Sequence, residues 1–409
     1  ININGRKVTL PIFIQPGMVD DFISIELGYG RSLVGEVGAN VGTNANVLLS
    51  SKDGISDKIY TNAQITKTGK KFNLISTQEH HSLDDEFVKD IHIKRHIVQE
   101  YTLPFYTEFL QKYEHVKKEL KEKYADDAAK YKEELKKEKE HLLGHHHYDI
   151  KSIYPLFEYT GVKWAMGIDL NKCTGCGACI ASCNVENNIP VVGKDQVAKG
   201  REMQWMRVDT YFSGTPEEPV TSLMPMLCQH CDKAPCENVC PVVATTHSPD
   251  GLNQMTYNRC VGTRYCSNNC PYKVRRYNFF DFRNDFADGY YRKDTLELLN
   301  NPEVTVRSRG VMEKCTFCVQ RIQEARQEAI KQNRTIRGED VITACQEACP
   351  SSAITFGDMN DYNSDVSKIR ENPLGYYVLE TLNARPNVTY ISKVKNINIT
   401  TEVHSEHHH

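Results

Sequence analysis

The stretch Cys173-Thr-Gly-Cys176-Gly-Ala-Cys179-Ile-Ala-Ser-Cys183 decides how this chain is read. Its spacing, C-x2-C-x2-C-x3-C, gathers three thiols on one short loop and sets a fourth just beyond it. Three further groups come later: Cys228, Cys231, Cys236 and Cys240; then Cys260, Cys266 and Cys270; then Cys315, Cys318, Cys345 and Cys349. Together they use all 15 cysteines of the 409 residues, and none precedes position 173. An odd, clustered count in a chain this long argues against a disulfide framework, which serves mainly small secreted domains.

The spacing has a chemical reason. Three thiolates on one loop can hold three corners of an iron–sulfur cube, with loop N–H groups turned to the sulfides. The fourth cysteine, after which the chain is directed away, reaches a neighbouring cube. The first group is the bacterial ferredoxin run without its final proline, and the other three end in Cys-Pro at 240–241, 270–271 and 349–350. Four groups therefore predict two ferredoxin-like pairs and four clusters. Structural zinc is the rival, since paired C-x2-C also makes four-cysteine sites. Zinc modules, however, need neither the third close cysteine nor the C-x3-C-P ending, and have no use for a group of three.

That group of three reads Cys260-Val-Gly-Thr263-Arg-Tyr-Cys266-Ser-Asn-Asn-Cys270, with Thr263 standing where the run would put a cysteine. An alcohol does not deprotonate near neutrality and is a poor iron ligand beside a thiolate. The expected consequence is a cube lacking one iron, a [3Fe–4S] cluster that accepts an electron more readily than its neighbours. The alternative is a fourth iron held there by water or another residue.

Composition excludes several classes. With 40% hydrophobic and 25% charged residues, the chain is neither wholly disordered nor collagen-like. No apolar run approaches the roughly 20 residues that span a bilayer. Net charge is −3, from 50 basic and 53 acidic residues, which leaves no global field for nucleic acid. The chain opens at Ile1 with no initiator Met and no apolar leader, so an upstream part is expected.

The order of groups, with C-x2-C-x4-C-x3-C-P second and C-x2-C-x26-C-x3-C-P last, resembles the four-cluster ferredoxin subunits of the molybdopterin oxidoreductase superfamily. Polysulfide reductase, dimethyl sulfoxide reductase and formate dehydrogenase have such subunits. The likeness runs from about 163 to 396, including Ala-Ile-Thr-Phe-Gly-Asp (353–358) and Leu-Asn-Ala-Arg-Pro (382–386). It implies a nested pairing, whereas spacing alone permits others. One [4Fe–4S] cluster would take Cys173, Cys176, Cys179 and Cys349, and a second Cys315, Cys318, Cys345 and Cys183. A third would take Cys228, Cys231, Cys236 and Cys270, leaving Cys260, Cys266 and Cys240 for [3Fe–4S].

The N-terminal part narrows the resemblance. Val8, Leu10, Ile12 and Ile14 alternate, as do Ile23, Ile25 and Leu27, the period of half-buried strands. Gly28, Gly30, Gly35, Gly38 and Gly42 punctuate the next stretch, but without the strand–loop–helix context of a phosphate loop. Leu-Pro-Ile-Phe-Ile-Gln-Pro-Gly-Met (10–18) and Val-Gly-Thr-Asn-Ala-Asn (41–46) look like the C-terminal barrel domain of a molybdopterin-type catalytic subunit, here with no cofactor expected. Such a domain joined to a four-cluster ferredoxin resembles the large iron–sulfur subunit of bacterial alternative complex III. Gly-Val-Lys-Trp-Ala-Met-Gly-Ile-Asp-Leu-Asn-Lys-Cys (161–173) and Asn-Asn-Ile-Pro-Val-Val-Gly-Lys (187–194) fit it as well.

That resemblance implies a part that makes and breaks no bonds in substrate. It would relay electrons from a membrane quinol-binding subunit to multihaem cytochrome c subunits, and on to cytochrome c, a cupredoxin or a terminal oxidase. It implies a peripheral position on the periplasmic face of the bacterial inner membrane. The alternative keeps the clusters but links the quinone pool to a molybdenum reductase.

Between the two regions, Phe109, Tyr113, Val116, Leu120, Tyr124, Ala128, Tyr131 and Leu135 recur at three and four, a narrow apolar stripe on one helix. Glu119–Lys123, Asp126–Lys130 and Glu133–Lys137 are i,i+4 pairs, and Gly144 is a plausible stop. The stripe serves either as a strut against a partner subunit or as a face packed on its own chain. His145, His146 and His147 read as a linker composition quirk, and His407, His408 and His409 as a tag remnant. Lys273, Arg275 and Arg276 either offset cluster charge, face lipid headgroups or are simply solvated. The fold class expected is α+β: the end of a β-barrel-like domain at 1–75, a charged helical linker at 76–160, a four-cluster ferredoxin-like domain at 161–396 and a tail at 397–409.

Overall fold

The computed structural model describes residues 1–15, 17–34, 38–52, 54–78, 95, 97–145, 152, 157–215, 218–281 and 296–396. Of the features named above, Gly35, His146, His147 and the tail 397–409 lie outside the described residues. The chain divides into two units, one of Ile1–His81, Pro190–Met203 and Phe212–Thr221, the other of Ser82–Ile189, Gln204–Tyr211 and Ser222–His409.

In chain order the second unit carries β1 (Glu100–Thr102), α1 (Leu103–Lys123), α2 (Ala128–Leu142), β2 (Trp164–Asp169) and α3 (Ala178–Glu186). A hairpin of β3 (Thr245–His247) and β4 (Asn253–Met255) and the helix α4 (Val319–Lys331) come next. β5 (Ile354–Asp358), α5 (Asp365–Arg370), β6 (Gly375–Tyr376), β7 (Val388–Ile391) and β8 (Lys393–Lys395) follow, besides shorter elements and the paired strands Arg207–Gly214 and Pro219–Met226.

Its centre is a four-stranded sheet in the order β5-β2-β7-β6, with β2 antiparallel to β5 and parallel to β7. The apolar run Trp164-Ala-Met explains why β2 sits inside: a strand buried on both faces needs near-continuous apolar residues rather than alternation. Trp164, Ala165, Met166 and Ile168 are all fully buried, and Trp164 stacks on Phe356 with ring centroids 5.2 Å apart. Gly167 lets α5 press on this strand. A Cβ there would stand 2.5 Å from Cγ2 of Ile369.

The apolar stripe forms two helices, not one. Thr102 caps α1 by accepting from the Phe105 N–H, and Pro104 occupies the first turn, where its missing N–H costs nothing. α1 ends at Lys123, and Asp127 caps α2 by accepting from the Lys130 N–H at 2.9 Å. A short carboxylate that bonds a nearby backbone N–H competes with helix continuation, which is why the pattern breaks where periodicity alone would carry it on. Asp126 consequently precedes α2 instead of pairing within a helix, Glu119 approaches His115 at 3.2 Å, and Lys137 meets Glu133 at 2.8 Å. Gly144, with φ +73°, follows the end of α2 as expected.

The stripe packs on its own chain. Phe109 and Tyr113 are buried with Tyr101, Leu143, Leu374 and Ile391, each large side chain contributing roughly 1.5–3 kcal/mol of burial. β1 pairs in parallel with β8, the Lys136 ammonium meets Glu380 at 2.6 Å, and Lys139 donates to the Gly375 carbonyl at 2.9 Å.

The first unit differs from the β-rich expectation. Between Ile1 and Gln78 its ladders are two residues long, Asn2–Ile3 with Arg6–Lys7 and Ser51–Lys52 with Ile55–Ser56. Among the described residues no closed barrel is formed. Val8 is buried with Ile3 and Leu48, but Ile12, Ile14, Ile23 and Leu27 are exposed and unladdered. Pro11, inside the first alternating run, supplies no ladder donor, so alternation there has no partner strand to act on. The chain is thus mixed helix and sheet, with its cysteines carried by the second unit.

Candidate metal centres

Each cysteine loop has a local cause. Before α3 the chain turns through Gly175 (φ +70°) and Gly177 (φ +75°), conformations that side chains resist. A Cβ on Gly175 would meet Leu223 at 2.5 Å. Similar single turns of helix at Pro235–Asn238, Tyr265–Asn268 and Ala344–Glu347 carry Cys236, Cys266 and Cys345. Cys318 caps α4 in the left-handed region.

The 15 thiols gather in four groups. Cys183 is buried and held well above its ordinary value, first by burial and then by the fields of Cys315, Cys318 and Cys345. These four line a small void walled by Met166 and Phe317. The Phe317 N–H donates to the Cys315 Sγ at 3.4 Å, and the Asn187 amide reaches the Sγ of Cys183 at 3.6 Å and of Cys318 at 4.0 Å. Cys231 is likewise raised by burial, with Cys228, Cys270 and Cys236 as its thiol neighbours. Burial pushes Cys236 up to about 12 although Arg275 opposes it, and the Asn253 amide lies 3.8 Å from its Sγ.

The other two groups are closer to solvent. Cys179 is pushed up to about 11 by burial, with Cys173, Cys349 and Cys176 adjacent, and Cys176 is exposed. Burial raises Cys349 too, but N–H donation from Ala353 at 3.3 Å, with Ser351 beside it, outweighs that and leaves the thiol below its ordinary value. Cys240, Cys260 and Cys266 share the fourth group with Thr263, around a small void. Burial raises Cys240, yet the N–H groups of Val242, Ala244 (3.1 Å) and Thr245 outweigh it and lower the thiol. Thr263 thus takes a place among the lining of the three-thiol group.

The groups succeed one another in space. Cys345 feels Cys179 of the first group, Cys315 feels Cys228 of the next, and Arg275 is shared by Cys236, Cys228 and Cys270 on one side and Cys266 on the other. Two buried groups therefore lie between two that approach the surface. Among the described residues no three His, Cys, Asp or Glu side chains converge on a point as one metal ion requires. The thiols are instead arranged around voids, with N–H···S donors and apolar walls, a donor set that suits iron–sulfur clusters. Buried thiols are costly to ionise alone, so loading with cationic iron would release protons, with the iron charge offsetting that of the thiolates.

Several buried groups lie beside the thiols, and the sequence singles out only some of them. Of the three basic residues that sequence leaves ambiguous, Arg275 and Arg276 are both buried. Lys314, next to Cys315, is fully buried and donates to the Cys315 carbonyl at 2.8 Å. His230, stacked on Phe317 at 3.8 Å, accepts from the Asn253 N–H, and burial holds its imidazole well below the ordinary value. No motif marks Lys314 or His230.

Residues 172–244 and 220–282 each match a family model described as a 4Fe-4S dicluster domain. The iron–sulfur cluster-binding subunit of menaquinone reductase from Nitratidesulfovibrio vulgaris is 39% identical over 242 residues, covering 58% of this chain and 91% of the relative. The chain belongs to this family of 4Fe-4S iron–sulfur subunits. The iron–sulfur subunit family also includes subunit 1 of the Hdr-like menaquinol oxidoreductase of Archaeoglobus fulgidus, 35% identical over 56% of this chain and 82% of the relative. A third member is the iron–sulfur subunit of a putative dimethyl sulfoxide reductase in Halobacterium salinarum, 32% identical over 56% and 79%. As a 4Fe-4S subunit the chain is an electron-transport protein. No helix among its described residues is long and apolar enough to cross a membrane.

Proposed function

We propose that this subunit is the internal electron conductor of a quinol-oxidising respiratory complex of the alternative complex III type. The observation that carries the proposal is the linear succession of four thiol groups, buried in the middle and near the surface at both ends. When bound, clusters supply one-electron redox chemistry without substrate bonds being made or broken. The chain's own residues hold them: Cys173, Cys176, Cys179 and Cys349; Cys315, Cys318, Cys345 and Cys183; Cys228, Cys231, Cys236 and Cys270, each for [4Fe–4S]. Cys260, Cys266 and Cys240, with Thr263 in place of a fourth thiol, would hold [3Fe–4S]. Met166 and Phe317 exclude water from the Cys183 group, while Ala244, Ala353 and Phe317 donate to sulfur and favour its anionic form.

In this proposal electrons enter from a membrane quinol-binding subunit and leave to multihaem cytochrome c subunits, with the chain peripheral on the periplasmic face of the inner membrane. Residues 1–75 are the end of a molybdopterin-oxidoreductase-like domain without cofactor, 76–160 a linker and 161–396 the cluster domain. The likeness to a putative dimethyl sulfoxide reductase iron–sulfur subunit favours a second reading, in which the chain links the quinone pool to a molybdenum reductase. Molybdenum analysis of the purified native complex separates the two. Its absence together with quinol-dependent reduction of c-type haem supports the first; stoichiometric molybdenum overturns it.

A further inference from the structure

Arg275 is 5% exposed, and its hydrogen-bond acceptors in the protein are neutral. Its guanidinium donates to the Asn253 Oδ1 at 2.9 Å, to the Thr245 Oγ1 at 3.2 Å and toward the Met255 Sδ at 3.8 Å, all on the β3–β4 hairpin. Three other buried cations of the same unit are paired with carboxylates. Arg207 is bonded to Asp209 at 2.9 Å, Arg307 to Glu313 at 2.8 Å and Lys163 to Asp232 at 2.6 Å. A buried charge is costly unless it is compensated. What faces Arg275 instead of a carboxylate is sulfur: Cys236, Cys228 and Cys270 of one group, and Cys266 of the next.

We propose that Arg275 is a potential-setting residue shared by two adjacent clusters, its charge favouring the reduced state of both the Cys240–Cys260–Cys266 group and the Cys228–Cys231–Cys236–Cys270 group. The proposal rests on the cluster assignment given above. Adding an electron to either group makes it more negative, and a fixed cation in a poorly solvated site lowers the energy of that state relative to the oxidised one. Each transfer moves one electron, oxidising the donor by one and reducing the acceptor by one, with no bond broken and no proton moved. The forked hydrogen bonds to Asn253 and Thr245 fix the guanidinium between the two groups rather than beside one. The Cys173 and Cys183 groups have no such link to Arg275 among their largest influences, so a single side chain would separate the potentials of one half of the chain's clusters from the other.

The test is a redox titration of the native complex, each cluster followed by its electron-paramagnetic signal, for wild type, Arg275→Gln and Arg275→Lys. In Arg275→Gln two signals are expected to shift at least tenfold toward the oxidised form at a given potential, which is 59 mV downward for a one-electron couple. The other two signals stay in place, and Arg275→Lys, which keeps the charge but not the fork, stays near wild type. Superimposable titrations of wild type and Arg275→Gln, or an equal shift of all signals, would overturn the inference while leaving the clusters themselves intact. Should Arg275→Gln lose its clusters, a tenfold downward shift in an assembled Arg275→Lys variant overturns the role of charge, and unshifted potentials support it. Wild-type complex without acid-labile sulfide would remove the cluster assignment itself.

Discussion

Glu313→Gln changes charge but hardly shape at a carboxylate that is completely buried. Its Oε2 accepts from the Arg307 guanidinium at 2.8 Å and from the Trp205 indole at 3.3 Å, and its Oε1 from the Asn278 amide at 2.9 Å. Side-chain exposure is 1% for Arg307 and 0% for Glu313. An amide must turn its NH2 toward donors on one side, and it leaves the Arg307 charge uncompensated. Removing one partner of a buried pair costs about 3–5 kcal/mol, a large share of the roughly 5–15 kcal/mol that keeps a domain folded. The damage reaches the thiols, because Arg307 also donates to the Asn187 carbonyl at 2.7 Å, and the Asn187 side chain faces Cys183 and Cys318. In urea, at a slope of about 3 kcal/mol/M, the unfolding midpoint should fall by about 1 M or more. Loss of visible cluster absorbance should follow the same curve. A midpoint within a few tenths molar of wild type would refute the assigned role of this pair.

Three further outcomes are expected. Thr263→Cys supplies the missing thiol, so the oxidised protein should gain one iron per chain and lose its three-iron paramagnetic signal; an unchanged signal would count against Thr263 as the cause. Gly167→Ala sets a Cβ against Ile369 and should cost about 1–3 kcal/mol in equilibrium unfolding, relieved when Ile369→Ala is added; a neutral single variant would show that α5 is not pressed on β2. Under a membrane-impermeant oxidant or chelator, the group containing exposed Cys176 should bleach first and the buried Cys183 group last. Simultaneous loss of all signals would contradict the exposure order.

The cysteine groups were legible because cluster ligation is largely a local matter of spacing along a loop, so Cys173, Cys176 and Cys179 declare themselves before any fold is known. What periodicity could not show was the break between α1 and α2, which depends on the Asp127 carboxylate choosing the Lys130 N–H over helix continuation. Nor could it decide which face the stripe covers, since Leu374 and Ile391 lie more than two hundred residues further along the chain. The alternation around Val8–Ile14 promised strands, but alternation needs a ladder partner, and Pro11 withholds a donor. Arg275 was ambiguous for a related reason. Within Lys273-Val-Arg275-Arg276 it resembles a solvated basic turn, and only the β3–β4 hairpin, folding over it with Thr245 and Asn253, makes it interior.

The central claim is that these thiols cage inorganic iron and sulfide. Iron and acid-labile sulfide determined together on anaerobically purified chain test it most directly. The account predicts both in near-equal amounts, three four-iron clusters and one three-iron cluster per chain. A fully folded, colourless protein with zinc and no labile sulfide would contradict it.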